Sequence, residues 1–483
     1  MNFSSIKSFF WDNNTTKQTI FKNTFWLTIS EVVSRTMTFF LFVYVARILG
    51  ATEYGKFAFA LSIIYLFSVF HGFLSSQIIT REISRNPENE KEFSSILFLK
   101  LLFSVGTAIL IIVISFLDAF DPIVRKTIWI LAIYNLFNGF FDSLWAFLRA
   151  RQMMQYESFM KILQAFLLFV LGMAVVSKFP SIMNLSYSYL FATVLALVIS
   201  LFFFHFKVHP LSLKKDTVVW KRILKLSWPL ALVSTFSAIY NQTDTAMMGL
   251  WGQITEVGWY NAAYRIIGVV IVPITLISTS FYPGLCRSFV ESKEKLQKFW
   301  DSQMKMMTVL ALPIMVGGFV IAPKVIDFIY DESFFPAILS FQILALMAGL
   351  LFLSNTFHQG LIVADRQNKF FWVIFAGALI NVVLNLFLIP EFSLNGAAIA
   401  TLATNFIVLC LLIYLTVRFT TINPFNSRII LTFLCSALAS FCMYIVLVQP
   451  EVYKFHAIIL FAIGFTVYSA ILFLLKLIFK SNL

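Results

Sequence analysis

Long apolar runs separated by short polar breaks are the dominant pattern of this sequence. A typical run, 101–117, contains no charged residue. A membrane-spanning helix needs about 20 predominantly apolar residues, whereas the strands of a membrane barrel alternate apolar and polar residues. The pattern therefore predicts fourteen membrane-spanning helices, at approximately 23–48, 56–80, 94–117, 123–148, 158–177, 183–204, 226–250, 258–285, 305–330, 336–362, 370–389, 396–417, 428–448 and 455–478.

The distribution of lysine and arginine orients these predicted helices. Basic residues near the end of a span are counted with the adjacent break. If the N-terminus is cytoplasmic, alternate breaks and both termini then carry 26 of the 36 basic residues, the opposite breaks carry 7, and 3 lie in the interior of spans. Loops on the cytoplasmic side of membrane proteins are enriched in Lys and Arg. The uneven distribution supports both the count of fourteen and a topology with both termini in the cytoplasm.

Composition narrows the function class. The chain of 483 residues is 60% hydrophobic and 12% charged, with a net charge of +13. Soluble domains carry about 25% charged residues, so the composition excludes a soluble enzyme, a disordered chain and a nucleic-acid-binding domain. The four cysteines show no C-x-x-C spacing, which argues against a zinc site or a disulfide framework.

The most basic break divides the predicted helices into two groups. It lies at 207–225, and its mixture of lysines with valine, tryptophan and leucine is typical of a helix in the membrane interface. We expect an N-terminal lobe of six spans at 1–206, this linker, a C-terminal lobe of six spans at 226–418, and two further spans at 419–483.

Two short motifs recur six predicted helices apart. The pattern E-x-G-x-aromatic-x-x-A starts at Glu53 and again at Glu256, and the pattern R-Q-x-x-x-aromatic starts at Arg151 and again at Arg366. Because six is an even number, the two halves have the same orientation in the membrane. A parallel repeat of this kind predicts two pseudo-symmetric lobes around a central cavity.

Charged residues inside the spans are candidate ligands, because a charge in the bilayer core costs at least about 2.5–3.5 kcal/mol. Glu31 and Arg35 are four residues apart on one helix, so they form either a self-neutralising pair or an anion site tuned by Glu31. Arg47 follows on about the same face. Arg265 has no acidic residue three or four positions away, and Lys100 lies near a helix end. Guanidinium groups suit phosphate, so these residues are candidates to bind a diphosphate.

A second set of polar residues lies in predicted helices 7, 11 and 12. Asp244 ends a polar cluster in helix 7, Asn381 and Asn385 are four residues apart in helix 11, and Ala397 and Thr401 are four apart in helix 12. These residues offer one carboxylate, two amide oxygens, a hydroxyl and a backbone carbonyl. The set predicts either a site for Na⁺ or H⁺ or hydrogen bonds that join the helices.

Several of these residues belong to patterns of a known family. The chain resembles the Wzx-type polysaccharide repeat-unit flippases of the multidrug/oligosaccharidyl-lipid/polysaccharide (MOP) exporter superfamily. The resemblance rests on Asp244 and on the segments R-x-L-G-x-x-x-Y-G from Arg47, W-P from Trp228, Y-N-A-A-Y-R from Tyr260, N-x-x-x-N-x-x-x-I-P from Asn381 and G-A-A-x-A-T from Gly396.

The resemblance implies a function. Such proteins move undecaprenyl-diphosphate-linked oligosaccharides from the cytoplasmic to the periplasmic leaflet of the bacterial inner membrane by alternating access. It implies an ion between helices 7, 11 and 12, with Asn385 standing where some relatives carry an acid, so that Na⁺ and H⁺ both stay open. It also implies membrane lipids, a polymerase and a chain-length regulator as partners, and no cofactor besides the ion.

Three alternatives compete with this interpretation. A MATE-like drug or cation antiporter would favour an acidic cavity, whereas three acids and three bases balance within the predicted spans. A membrane polymerase or ligase of the same glycans would usually carry a large periplasmic loop, and the outer breaks here are short. A scaffold without transport activity would explain neither the repeat nor the charges within the spans.

Overall fold

The protein is built from α-helices. The computed structural model describes residues 15–85, 87–118, 120–210 and 214–478, and these ranges contain no β-strand. The predicted termini therefore lie partly outside the described residues. The helices are α1 (Thr16–Phe67), α2 (Val69–Gly72), α3 (Ser76–Arg85), α4 (Phe93–Ile114), α5 (Pro122–Ala150), α6 (Met154–Lys178), α7 (Ile182–Lys207), α8 (Thr217–Leu250), α9 (Ile254–Val270), α10 (Val272–Glu291), α11 (Lys293–Ile329), α12 (Ala337–Val363), α13 (Gln367–Phe419), α14 (Ser427–Val448), α15 (Pro450–Tyr453) and α16 (Ala457–Ile478).

Most of these helices are long enough to cross a membrane. Within the described ranges, eleven helical stretches are sufficiently long and apolar. The first stretch is 68 residues long and bends at Gly50, and α13 has 53 residues and bends at Ser393, so each exceeds the length of one span. The predicted all-α membrane fold is confirmed, and the count of fourteen spans stays a prediction.

Two glycines with positive φ precede the two copies of the first repeated motif. Gly50 has φ = 75° and Gly252 has φ = 77°, a conformation that side chains with a Cβ atom rarely adopt. The second repeated motif is less regular, because the positive φ falls on Gln152 in one copy and on Asp365 in the other. Relative to the start of the R-Q motif, the residue with positive φ therefore differs by two positions between the two halves.

The helices form two compact units. The first unit extends to Gln242 and also includes Gly249–Gly252. Its core contains aromatic rings from three helices, and the rings of Phe93 and Phe147 lie 4.5 Å apart, with Phe204 against both. Burial of such rings supplies much of the packing free energy of a helical unit.

The second unit contains Thr243–Met248 and the chain from Gln253 onwards. Trp300 and Phe357 pack with ring centroids 5.4 Å apart in its core. A further apolar cluster joins α14 and α16 to α11 through Met443, Leu460 and Ile321. Within this unit, the last two long helices therefore pack against α11.

The predicted linker at 207–225 is partly continuous with the following helix. Asp216 caps α8, because its Oδ1 accepts hydrogen bonds from the backbone N–H groups of Val218 and Val219. Val219 and Ile223 are buried in the core of the first unit, and Trp220 Nε1 donates to Ser95 Oγ at 2.9 Å. No glycine or proline lies between residues 217 and 228 to end the helix. The lobe boundaries drawn from the sequence stay a prediction.

Candidate functional site

A buried carboxylate is the centre of the candidate site in the second unit. Asp244, on α8, is 5% exposed. Its Oδ2 accepts hydrogen bonds from Tyr260 Oη at 2.6 Å and from Thr401 Oγ1 at 2.5 Å. Its Oδ1 accepts one from Asn385 Nδ2 at 2.6 Å. Three short bonds from neutral donors stabilise a negative charge at this position.

Two asparagines extend the site along α13. Asn385 Nδ2 also donates to Asn381 Oδ1 at 3.0 Å, which links the two amides predicted from their spacing. The Oδ1 of Asn385 is buried and has no hydrogen-bond partner among the described residues. An unsatisfied buried oxygen costs about 1–3 kcal/mol, which a bound cation would offset. The lone pairs of Asn385 Oδ1 are therefore available to bind a cation.

The chemistry of the ligand set suits an alkali cation. It contains one carboxylate, two amide oxygens and the hydroxyls of Thr401 and Tyr260, and Ala397 lies buried one turn before Thr401. Within the described ranges, no group of three His, Cys, Asp or Glu side chains is placed to hold a metal ion. Transition metals prefer imidazole and thiolate ligands, whereas Na⁺ accepts carbonyl and carboxylate oxygens.

Tyr260 is the member of this network that the sequence did not indicate as a ligand. It lies on α9, sixteen residues after Asp244, and is buried. Its hydroxyl also lies 3.4 Å from Thr401 Oγ1. The repeated motif from Glu256 includes this aromatic position, but the pattern did not distinguish a packing ring from a hydrogen-bond donor.

The predicted diphosphate ligands lie in both units. In the first unit, Arg35 Nε donates to Glu31 Oε1 at 2.6 Å, with side chains 44% and 38% exposed, and Arg47 is exposed on the same helix. In the second unit, Arg265 lies half-buried on α9. The self-pairing of Glu31 with Arg35 is therefore present, and the role of these arginines in binding stays a prediction.

Lys100 has a different environment from the arginines. It is 1% exposed on α4, and its Nζ donates to the backbone oxygen of His71 at 2.9 Å. The ammonium group is therefore enclosed by protein and does not extend to the protein surface, although a lysine near a helix end commonly extends outward.

A comparison with known protein families identifies the family of this chain. Residues 20–289, more than half of the chain, match the family described as polysaccharide biosynthesis protein. The chain belongs to the polysaccharide biosynthesis protein family. The matching segment contains Asp244, Tyr260 and Arg265, whereas the asparagines of α13 lie beyond it. The resemblance recognised in the sequence is thereby confirmed.

The chain is also similar to a curated relative over part of its length. "Probable flippase AglR" of Haloferax volcanii is 27% identical over 169 residues, which are 34% of this chain and 35% of that protein. The chain thus matches about a third of the length of this relative.

Solved structures of two transporters share the fold of this polysaccharide biosynthesis protein. It is similar to the lipid II flippase MurJ in its inward closed conformation, with a TM-score of 0.77 and 16% identity over 93% of this chain and 98% of that chain. It is also similar to an inward-facing multidrug resistance MATE family transporter of the MOP superfamily, with a TM-score of 0.66 and 14% identity over 80% and 94% of the two chains.

Proposed function

We propose that this protein is a flippase that moves undecaprenyl-diphosphate-linked oligosaccharides across the bacterial inner membrane. Movement is from the cytoplasmic to the periplasmic leaflet by alternating access, and both termini are cytoplasmic. Membership of the polysaccharide biosynthesis family is the observation that carries the proposal. The activity is transport without covalent chemistry, and a polymerase and a chain-length regulator act on the delivered substrate.

The arginines are proposed to bind the diphosphate. A guanidinium carries five N–H donors in a planar fork that pairs with two phosphate oxygens. The Arg35 side chain is 44% exposed, and its ion pair with Glu31 engages Nε. An arriving diphosphate therefore competes with Glu31 for Arg35, and Arg47 and Arg265 are proposed as further phosphate ligands.

Asp244 is proposed to bind the coupling ion. Asn381, Asn385, Thr401 and the backbone of Ala397 supply the remaining oxygens, and the unpartnered Asn385 Oδ1 supports their fit to Na⁺. A bound cation neutralises the carboxylate. Without the cation, the Tyr260 and Thr401 hydroxyls and the Asn385 amide stabilise the charge, so the site tolerates both states. A proton on Asp244 is the other form of the same coupling.

A complementation experiment tests the flippase. A strain lacking the protein is expected to accumulate undecaprenyl-diphosphate-linked oligosaccharide, detected by mass spectrometry of its lipids. Wild-type protein restores export, Arg265→Ala inserts normally but does not restore it, and Lys454→Ala, an exposed control paired with Glu451, restores it fully. Normal export with Arg265→Ala would overturn the role of Arg265, and no accumulation in the deletion strain would overturn the substrate.

A drug or cation antiporter is the second candidate, favoured by the structural similarity to a MATE family transporter. The deletion strain separates the two functions. An antiporter predicts greater susceptibility to cationic drugs and an unchanged pool of lipid-linked sugars. The flippase predicts unchanged susceptibility to cationic drugs and an enlarged pool of lipid-linked sugars.

A further inference from the structure

The first unit contains a break in its helical chain in the middle of predicted span 56–80. α1 ends at Phe67, α2 is a single turn, and residues 73–75 are not helical before α3 begins at Ser76. Backbone carbonyls released by such a break need donors, because the bilayer interior supplies no water to them. Interrupted spans of this kind are where transporters bind ions.

A lysine ammonium lies at this break. Lys100 Nζ donates to the carbonyl oxygen of His71, the third residue of α2, at 2.9 Å. Both residues are buried, Lys100 to 1% and His71 to 6% exposure. The ammonium thus binds a main-chain oxygen as an alkali cation would, but it is attached covalently to α4.

The charged neighbours of this lysine are few. Asp142, on α5, attracts the Lys100 ammonium, and Lys100 in turn acts on His71. Arg149, seven residues further along α5, attracts Asp142 and also binds the buried Glu157. A protonated Lys100 balances the Asp142 carboxylate, and loss of the lysine proton leaves Arg149 as the cation that attracts this carboxylate.

Two polar atoms beside the break have no hydrogen-bond partner among the described residues. They are His71 Nδ1 and Ser104 Oγ, and Ser104 is one turn from Lys100 on α4. A Cβ atom on Gly139 would lie 2.9 Å from Ser104 Oγ and 3.2 Å from the His71 ring, so a larger residue at this position would displace the Ser104 hydroxyl. Each unsatisfied buried group costs about 1–3 kcal/mol.

We propose that Lys100, Asp142 and His71 form a second ion-coupling site, in which the cation is the lysine ammonium and the exchanged species is its proton. When the site releases the proton, the N–H bond breaks, its electron pair stays on Nζ, and the proton passes to water. The neutral amine binds the His71 carbonyl less strongly, so the break between α2 and α3 is free to rewind. Proton binding therefore favours the broken helix. This proposal goes beyond the flippase function, because it depends neither on the transported lipid nor on Asp244.

The sequence offers a specific probe of this site. His71–Gly72 is the one His–Gly pair among the five histidines of the chain. The full-length protein, made with ¹³C-carbonyl histidine and ¹⁵N glycine and placed in lipid bilayers, gives one ¹³C–¹⁵N correlation in solid-state NMR. That signal belongs to the carbonyl that accepts the Lys100 hydrogen bond, and its chemical shift is followed from about pH 5 to about pH 10, which spans the ordinary titration of histidine and lysine.

The wild-type protein is expected to show a step in this chemical shift, and Asp142→Asn moves its midpoint. Lys100→Met abolishes the step, and so does Lys100→Arg, which keeps the positive charge and guards against misfolding of the first variant. Lys56→Met, which removes a lysine paired with Glu53 in the same unit, leaves the step unchanged. A wild-type protein without a step, or a step that persists in the Lys100 variants, would overturn the proposal. Because the measurement involves no transported lipid, failure of the flippase would not affect it.

Discussion

Removal of a single hydroxyl from the Asp244 network tests the ion site. Thr401→Val keeps the shape of the side chain but deletes Oγ1, which lies 2.5 Å from Asp244 Oδ2. A hydrogen bond to a charged group contributes about 1.5–3 kcal/mol. The valine also removes an oxygen proposed to bind the cation. We therefore expect lower stability without Na⁺ and a weaker response to Na⁺, by about 10- to 100-fold in Kd if the same energy is lost there.

Thermal unfolding of the purified protein measures both effects. Its ten tryptophans give a fluorescence signal, and NaCl is compared with choline chloride at equal ionic strength. A ligand at a hundred times its Kd stabilises a folded protein by about 2.7 kcal/mol, so binding to the wild type raises the Tm measurably. The Tm of Thr401→Val is expected to be lower and to respond to Na⁺ only at higher concentrations.

The same helix provides a matched control for this experiment. Thr404 is also buried on α13, but its Oγ1 donates to the backbone oxygen of Ala400 at 2.7 Å and not to Asp244. Thr404→Val is expected to keep the wild-type response to Na⁺. Equal Na⁺ responses in the two variants would refute the assignment of Thr401 to an ion site, whatever their Tm values.

Three further perturbations test the structure itself. Glu157→Gln removes the charge that Arg149 binds at a fully buried position, and breaking a buried pair in this way costs about 3 kcal/mol, seen as a lower Tm. Gly396→Ala places a Cβ atom 2.1 Å from the backbone oxygen of Leu388, so the bend in α13 has to shift and the yield of folded protein falls. Burial, with a smaller contribution from Arg151, lowers the pKa of His209. Below about pH 6.5 the unfolded chain therefore binds a proton at this histidine more readily than the folded protein does. Stability is therefore lost as the pH falls below that value, and His209→Phe loses less over the same range.

Exposed or open positions serve as controls for these three variants. Glu451→Gln removes a surface partner of Lys454 and is expected to leave the Tm unchanged. Gly268→Ala adds a Cβ atom that meets no atom within 4 Å, so its yield should match the wild type. His456→Phe alters an exposed ring and should keep the acid sensitivity of the wild type. If a control behaves like its paired variant, the corresponding contact is not the cause.

The clustering of the polar residues around Asp244 could largely be predicted because its signals are local. Asp244 lies in an apolar stretch, and the spacing of four residues between Asn381 and Asn385 places both amides on one face of a helix. The structure brings these residues together with Thr401 through direct hydrogen bonds. The hydrogen bond from Tyr260 could not be predicted, because a tyrosine in an apolar helix packs its ring whether or not its hydroxyl has a partner.

The broken helix could not be predicted from local pattern. Residues 57–74 are largely apolar, and Gly72 and the polar run 75–77 are weak signals of interruption. What stabilises the break is Lys100, whose contact with the His71 carbonyl spans 29 residues. Such a contact depends on the packing of α4 against the break. The bend at Ser393, by contrast, follows Pro390 by three residues, and proline removes a helical hydrogen bond.

The way in which charges within the spans are compensated indicates where a free cation can bind. Glu31 is paired with Arg35, and Lys100 is balanced by Asp142, so each of these acids already has a basic neighbour. The hydrogen bonds to Asp244 come instead from a phenol, an alcohol and an amide, none of which carries a charge. Donors of this kind orient a carboxylate without neutralising it. An added cation would therefore gain most at Asp244, whereas at the break it would compete with the lysine ammonium that already binds the carbonyl.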